Sequence, residues 1–450
     1  MIRYDVAGRR VVVAGVGVTG RAVARVLRQL DADVVVVDTA DGERQRDAAT
    51  ALASDGVEVR LAATELPAAD LVVVSPGWRM DQPLLAAARG NGTEVIGEPE
   101  LAWRLRDPEV PWLGVTGTNG KTTTVGMLEA ILLAAGRRTV AAGNVGLPLV
   151  DAVTTMPPYD VLAVEVSSQQ LAWSPSLRFR AGALLNIAPD HLDWHDSMDD
   201  YVAAKTGIWT GATPVAVVDD TTVASLAPPD AIRVSVVDST ADYAIVDGQL
   251  TAGGVPVMRV GELKVGGPHN VSNALVALAL AQAVDVPLDV AAAALRDFAP
   301  GRHRNETVAD VDGVRYVDDS KATNAHAAAA SLAAYDSVVW IAGGLLKGAD
   351  VDDLVAANAG RLRGVVLLGR DRDVVADALA RHAPDVPVSV VSTTDTGAMS
   401  EVVRRAAGMA RPGDTVLLAP AAASWDMFRD YAERGDLFAA AARALAEVAP

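Results

Sequence analysis

Gly114-Val115-Thr116-Gly117-Thr118-Asn119-Gly120-Lys121-Thr122 follows the pattern G-x-x-x-x-G-K-[ST]. Residues of these types at this spacing hold nucleotide phosphates. Glycines let backbone N–H groups approach the phosphate oxygens, the lysine reaches the β- and γ-phosphates, and the next hydroxyl sits on Mg²⁺. The flanks suit that task. Residues 111–115 read as a short buried strand and 123–135 as a helix, whose N-terminus adds partial positive charge. The bland alternative is a glycine-rich turn with an exposed lysine. Chance seldom places such a pattern between a strand and a helix.

A second glycine motif, Gly15-Val16-Gly17-Val18-Thr19-Gly20, follows a strand at 10–14 and opens a helix. Asp38 closes the next strand, about twenty residues on, as in a dinucleotide fingerprint. Alone, the motif supports a nicotinamide-dependent oxidoreductase. Its physical content is broader: a helix N-terminus offered to a diphosphate, with a carboxylate near a ribose or base. A UDP-linked substrate satisfies it equally, and a tight turn that binds nothing is the third reading.

Further candidates lie downstream. Glu165 ends an apolar strand, 161–164, which places it at the sheet edge where α/β proteins bind ligands. It could hold the Mg²⁺ that Thr122 touches, or be a salt-bridged carboxylate. His191, Asp193 and His195 have H-x-D-x-H spacing, which suits a zinc site. A histidine at a magnesium site is unusual by hardness. His195 alone reads as an exposed loop histidine. Asp199 and Asp200 read as an acidic helix start leading to Lys205, which by sequence alone is a surface lysine. Asp318-Asp319-Ser320-Lys321-Ala322-Thr323-Asn324 follows a strand at 314–317. This is either a polar active-site edge or a helix start capped by Asp319 and Ser320. Gly343-Gly344-Leu345-Leu346-Lys347-Gly348 suits anion binding. Ser424 could cap a helix or hold a substrate carboxylate.

Alternating elements must position these groups. Strand candidates at 11–13, 34–37, 71–74, 161–166, 183–186, 337–341, 365–368 and 415–418 alternate with Ala/Leu-rich helices. That rhythm implies parallel sheets with helices on both faces. The stretch 213–263 reads as antiparallel decoration. Breaks near 97–99 and 298–301 divide the 450 residues into segments 1–98, 99–300 and 301–450, in keeping with a length prior of about three domains. The net charge of −18 and pI near 4.7 argue against a nucleic-acid binder, which would show a basic face. The absence of cysteine excludes disulfides, thiolate metal sites and a thiol nucleophile. Residues 1–10 carry no signal-peptide pattern, and the apolar run 274–284 is too short to span a bilayer. The expectation is a soluble cytoplasmic protein with no membrane partner, and a monomer.

Together the motifs resemble the ATP-dependent Mur ligases of peptidoglycan synthesis, over essentially the whole chain. Gly117 to Thr122 looks like their ATP loop and Glu165-Val166-Ser167-Ser168 like their strand-end glutamate motif. Asp190-His191-Leu192-Asp193 and Lys205 look like their metal-binding histidine and carbamylated lysine. His269-Asn270-Val271-Ser272-Asn273 and Asp319 to Asn324 look like later family motifs. Gly15 to Gly20 with Asp38-Thr39, Ser75-Pro76-Gly77, Asn144, Lys347 and Ser424 resemble the D-glutamate-adding branch. The related folylpolyglutamate synthetases lack the N-terminal domain, and the Asn-Pro-Arg motif of diaminopimelate-adding relatives is missing here.

The resemblance implies an α/β chain of three domains: N-terminal Rossmann-like, central P-loop ATPase-like with a mostly parallel sheet, and C-terminal Rossmann-like. It implies an ATP-dependent ligase with two Mg²⁺ sites, acting on UDP-N-acetylmuramoyl-L-alanine and D-glutamate. Lys121, Glu165, His191 and Lys205 would be catalytic. Gly117, Thr118, Asn119, Gly120, Lys121, Thr122, Thr123, Asn273, Arg304 and Asp319 would bind ATP. Val18, Thr19, Thr39, Ser75, Gly77, Asn144, Ser167 and Gln170 would meet the UDP substrate, and Lys321, Thr323, Lys347 and Ser424 the D-glutamate. Thr122, Glu165, His191 and an N6-carboxylated Lys205 would hold metal. Residue 40 is Ala where the resemblance implies an arginine beside the uracil. A nucleotide-binding scaffold without catalysis is the remaining rival.

Overall fold

The computed structural model describes residues 4–265, 267–299, 301–393 and 395–448. The expected break at 298–301 includes residue 300, which lies outside the described residues. The chain forms two compact units. The first comprises Met1–Ile187, His191–Lys264 and Asn270–Phe298; the second comprises Ala188–Asp190, Val265–His269 and Ala299–Pro450.

The first unit carries two sheets. In the N-terminal one, β1 (Arg10–Ala14), β2 (Asp33–Val37), β3 (Glu58–Arg60), β4 (Leu71–Val74) and β5 (Glu94–Gly97) lie in the order β3-β2-β1-β4-β5, all parallel. The valine runs are buried on both faces, as strands covered by helices on each side require. Helix Val18–Gln29 starts against the end of β1. A Cβ at Gly20 would lie 1.8 Å from the Gly15 carbonyl oxygen, so only glycine permits this close packing of helix on turn.

The second sheet has nine strands: β6 (Trp112–Thr116), β7 (Ala141–Gly143), β8 (Leu162–Glu165), β9 (Ala181–Leu184), β10 (Thr213–Val217), β11 (Ile232–Val234), β12 (Tyr243–Val246), β13 (Gln249–Ala252) and β14 (Val255–Arg259). Their order is β14-β13-β12-β11-β10-β9-β6-β8-β7. The stretch expected to be antiparallel throughout is so only from β12 to β14. β10 and β11 extend the parallel sheet. The crossover helix Thr221–Leu226 makes this possible, and its short polar sequence hid it. The apolar run at 274–284 lies mostly in helix Pro268–Gln282, whose residues from Asn273 to Ala281 are all buried.

Between the two sheets runs helix Glu98–Leu105. The Gly97 N–H donates to the Trp173 carbonyl at 2.9 Å. Glu98 accepts the Val150 N–H at 2.8 Å, and Glu100 accepts the Ser176 N–H at 2.9 Å. Burial pushes the Glu98 carboxyl up to about 7.

The second unit holds β15 (Glu306–Val311), β16 (Val314–Asp318), β17 (Val338–Ala342), β18 (Leu362–Leu367), β19 (Val388–Val390) and β20 (Thr415–Leu418). They lie in the order β15-β16-β20-β17-β18-β19. β15 is the antiparallel edge, and the other strands pair in parallel. Among the described residues, no helix is long and apolar enough to cross a membrane.

Candidate active site

β6 leads into the phosphate loop, and the loop leads into helix Lys121–Ala134. Gly117 and Gly120 have φ of 156° and 85°, positive values that L side chains rarely adopt. Asn186 braces the loop: it accepts the Asn119 N–H at 2.8 Å and donates to the Asn119 carbonyl at 3.1 Å. Lys121 Nζ donates to the Gly117 and Thr118 carbonyls, both at 2.8 Å. Thr122 is half-buried and Thr123 buried in the first turn of the helix. Asn273 stands beside the loop. A Cβ on Gly120 would meet its Oδ1 at 2.7 Å.

Glu165 ends β8 opposite Val115 of β6 and is 2% exposed. Asn144 Nδ2 donates to its Oε1 at 2.8 Å. Its Oε2 is buried and has no hydrogen-bond partner. A buried carboxylate oxygen left so is costly unless a cation meets it. This donor set fits the hard cation that nucleotide phosphates carry.

Two expectations fail here. Lys205 is not a surface lysine: in helix Met198–Thr206 it is 2% exposed. Its Nζ donates to the Gly117 carbonyl at 2.8 Å and lies 4.7 Å from the Tyr201 ring centroid. Tyr201, one turn earlier, in turn bonds Thr118 Oγ1 at 2.9 Å. His195 is not an exposed loop histidine: it too is 2% exposed. Nδ1 bonds Asp200 Oδ2 at 2.9 Å and Nε2 bonds Ser168 Oγ at 2.8 Å. With both nitrogens engaged, it is not a zinc ligand. His191 occupies a left-handed turn, φ 54°, with its side chain half-buried.

Ser167 and Gln170 form a capping box at helix Ser168–Ala172. Ser167 Oγ accepts the Gln170 N–H at 3.2 Å, and Gln170 Oε1 accepts the Ser167 N–H at 3.0 Å. The serine O–H and the glutamine NH₂ remain as possible donors to a ligand.

At the N-terminal glycine turn, Asp38 builds the turn itself. Its carboxylate accepts the N–H groups of Val16 at 3.1 Å and Ala40 at 2.9 Å. Ser75 Oγ is buried without a hydrogen-bond partner and lies 2.6 Å from where a Gly15 Cβ would be. Val18, Thr39 and Gly77 are exposed and Thr19 half-buried around it.

The second unit holds the remaining candidates. Asp319 and Ser320 cap no helix. Asn324 caps helix Ala325–Leu332 instead, its side chain accepting the Ala327 N–H. Burial pushes the Asp319 carboxyl up to about 6, opposed by the positive charge of Arg304. Lys321 Nζ lies 3.9 Å from the Tyr431 ring centroid, and Lys347 Nζ lies 4.9 Å from that of Trp425. The Thr323 N–H donates to the Lys321 carbonyl. Ser424 is buried in a turn rather than at a helix start. Leu345 and Ala423 exchange backbone hydrogen bonds at 2.9 and 3.0 Å, which join the Lys347 loop to the Ser424 turn.

Sequence reasoning missed the support beneath these groups. His303 Nδ1 and Asp318 Oδ2 pair at 2.6 Å. Arg434, fully buried, donates to Ser320 Oγ, the Ser320 carbonyl and the Ala422 carbonyl. Burial lowers it to about 10. His303, Glu306 and Asp318 could frame a metal by proximity. A Gly435 Cβ, however, would fall 2.2 Å from His303 Nδ1 and 2.6 Å from Asp318 Oδ2, so helix backbone already packs on the pair. An arginine among the other charged residues of an Ala-rich helix gives no sequence signal of such a role.

Three family models match in order: Mur ligase MurD-like, N-terminal domain, over residues 9–97; Mur ligase middle domain over 115–281; and Mur ligase, glutamate ligase domain, over 303–422. The UDP-N-acetylmuramoylalanine–D-glutamate ligase of Streptomyces avermitilis is 51% identical, covering 97% of this chain and 98% of its own. The enzyme of the same name from Thermobifida fusca is 52% identical, covering 98% and 100%. A solved UDP-N-acetylmuramate-alanine ligase from Thermotoga maritima superposes with a TM-score of 0.62 at 17% identity, covering 97% of this chain and 99% of its own. That likeness speaks for the three-domain α/β fold alone. The chain belongs to the Mur ligase family, on its UDP-N-acetylmuramoylalanine–D-glutamate ligase branch.

Proposed function

We propose that this chain uses ATP to join D-glutamate to UDP-N-acetylmuramoyl-L-alanine, releasing ADP and phosphate. The observation that carries the reading is the phosphate loop flanked by a buried, unpartnered Glu165 oxygen and a buried Lys205. The L-alanine carboxylate attacks the γ-phosphorus of ATP, and ADP leaves. The D-glutamate amine then attacks the acyl-phosphate carbonyl. The tetrahedral adduct expels inorganic phosphate and gives up a proton to leave the amide. Each step moves negative charge, so the chain's main task is charge neutralisation and alignment.

Lys121 would leave its loop carbonyls for the β- and γ-phosphates. Thr118, Asn119, Thr122, Thr123, Asn273, Arg304 and Asp319 would hold the nucleotide. Mg²⁺, when bound, neutralises the phosphates. Thr122 and Glu165 would hold one ion, His191 and Lys205 a second. For that role Lys205 would carry an N6-carboxylate, formed as its neutral amine adds CO₂ and loses a proton, because a metal prefers an oxygen donor to an ammonium. Ser75, Gly77, Val18, Thr19 and Thr39 would meet the UDP moiety. Asn144, Ser167 and Gln170 would meet the muramoyl moiety, and Lys321, Thr323, Lys347 and Ser424 the D-glutamate. The reading includes domain limits of 1–98, 99–300 and 301–450, a monomer and a cytoplasmic location.

The test is phosphate release with ATP, Mg²⁺ and UDP-N-acetylmuramoyl-L-alanine, adding D-glutamate, L-glutamate or nothing. Release that requires D-glutamate supports the reading. Release with another amino acid moves the assignment within the family. No release with any of them overturns it.

A further inference from the structure

Ser168, His195 and Asp200 form a continuous hydrogen-bonded chain that the proposed reaction does not use. Ser168 opens helix Ser168–Ala172, His195 lies in the loop before helix Met198–Thr206, and Asp200 lies in that helix's first turn. The imidazole is fully buried, while the Asp200 side chain is half exposed. An ionised carboxylate only accepts, so Nδ1 carries the proton toward Asp200. The Ser168 hydroxyl faces two acceptors, Nε2 at 2.8 Å and Gln169 Oε1 at 3.3 Å, and the shorter contact favours the bond to Nε2. Trp194 and Tyr201 hold the ring edge-to-face, with centroids 4.6 and 5.3 Å away.

The order serine–histidine–aspartate is that of a hydrolytic triad, but the access is wrong. Ser168 is 1% exposed, and no carbonyl can reach its Oγ. What the chain of bonds does join is two functional segments. On one side are Ser167 and Gln170, the box that opens the short helix. On the other, Tyr201 bonds the phosphate-loop Thr118 and stacks beneath Lys205, one turn further along the same helix.

We propose that His195 is a positioning residue that ties the Ser167–Gln170 turn to the helix carrying Lys205, so that the muramoyl seat and the phosphate loop keep a fixed spacing. The proposal rests on the ligase reading, because it takes the Ser167–Gln170 turn as the muramoyl seat. The Ser168 arm carries the spacing, and the Asp200 arm selects the tautomer that makes Nε2 an acceptor. A turn shifted by a fraction of an ångström misplaces the attacking carboxylate, and misalignment on that scale costs rate.

Asparagine places its amide nitrogen near the Nδ1 position of histidine, whereas glutamine reaches the Nε2 position. His195→Asn therefore keeps the Asp200 arm and loses the Ser168 arm; His195→Gln does the reverse. The phosphate-release assay is run on wild type, H195N, H195Q and S168A, each at saturating D-glutamate. In H195N and S168A, kcat/KM for the muramoyl substrate should fall about tenfold while KM for ATP stays within about twofold. H195Q should stay within about threefold of wild type. An H195N/S168A double variant should be no worse than either single one, because both cut the same bond. Independently of activity, the downfield proton resonance of the Nδ1–H should be present in wild type and shifted in D200N. If H195N does not fold, S168A still decides. Equal losses in H195Q and H195N, constants for S168A within twofold of wild type, or an equal rise in KM for ATP would each overturn the proposal. An inactive wild type would instead overturn the ligase reading.

Discussion

The first unit contains two glycine-rich turns that follow a parallel strand and open a helix, and their side chains set them to different work. At the turn after β1, the residues beside the glycines are Val16, Val18, Thr19 and an exposed Arg21, and the acidic partner Asp38 is bonded to backbone N–H groups. The polar group left over is a neutral hydroxyl, Ser75 Oγ. At the turn after β6, two lysines converge on the Gly117 carbonyl, and a buried carboxylate oxygen stands unpartnered nearby. The backbone pattern offers phosphate-binding N–H groups in both. At the second turn the charges are buried against the loop, Lys205 and Glu165, as a transferring phosphoryl group and its cation require. A glycine fingerprint thus reports where a phosphate can sit, and the charges around it report whether chemistry happens there.

The sharpest way to break this contrast is Lys121→Ala. It should lower phosphate release by about a thousandfold or more, with the thermal midpoint nearly unchanged; comparable turnover would remove the distinction between the turns. Lys205→Ala should cost about a hundredfold. Acetate or propionate added to that variant should restore part of the rate if an N6-carboxylate is the working form, and no recovery would remove the carboxylate. Gly20→Ala attacks the other turn. Its Cβ would lie 1.8 Å from the Gly15 carbonyl oxygen, so the helix must shift. KM for the UDP substrate should rise about tenfold with ATP affinity unchanged, and the midpoint should drop by several degrees.

The smallest effect tests the segment between the turns. Burial raises Glu98 to about 7, against about 4.3 in an unfolded chain. The folded state therefore favours the protonated form. The stabilisation is complete below the unfolded value and is lost as pH rises through about 7. Glu98→Gln stays neutral, so wild type should lose roughly 2 kcal/mol relative to the variant between pH 5 and pH 8. Denaturant midpoints at the two pH values measure this; parallel curves would mean that Glu98 is not desolvated in solution.

Backbone logic was largely legible in the sequence. Valine runs flanked by Ala-rich helices announce doubly covered parallel strands, and the two glycine patterns sit at the strand ends where they were expected. What sequence did not show was which polar side chains go inside. Lys205 and His195 look like surface residues because a lysine is seldom fully buried and a histidine in a polar loop is usually exposed, yet Tyr201, Trp194 and the phosphate loop close over them. Asp319 and Ser320 fit a helix cap as well as a polar active-site edge in sequence, because aspartate and serine favour the cap position; Asn324, four residues beyond Ser320, is the cap. The parallel strands β10 and β11 were misread because a six-residue crossover helix carries too little apolar periodicity to announce itself. In each case the deciding partner is distant in sequence, so local pattern alone cannot weigh it.

The phosphate loop is closed on itself by donor side chains of its own chain. Lys121 spans the Gly117 and Thr118 carbonyls, Lys205 fixes the first of them, and Asn186 braces Asn119. Fixing a flexible residue costs about 1–2 kcal/mol of backbone entropy, and here that ordering is completed when the domain folds. Nucleotide capture then becomes an exchange of partners, ammonium passing from carbonyl to phosphate, rather than the ordering of a slack loop. Its affinity would owe little to induced order, and its heat signature should be that of swapped hydrogen bonds, with only a small change in heat capacity.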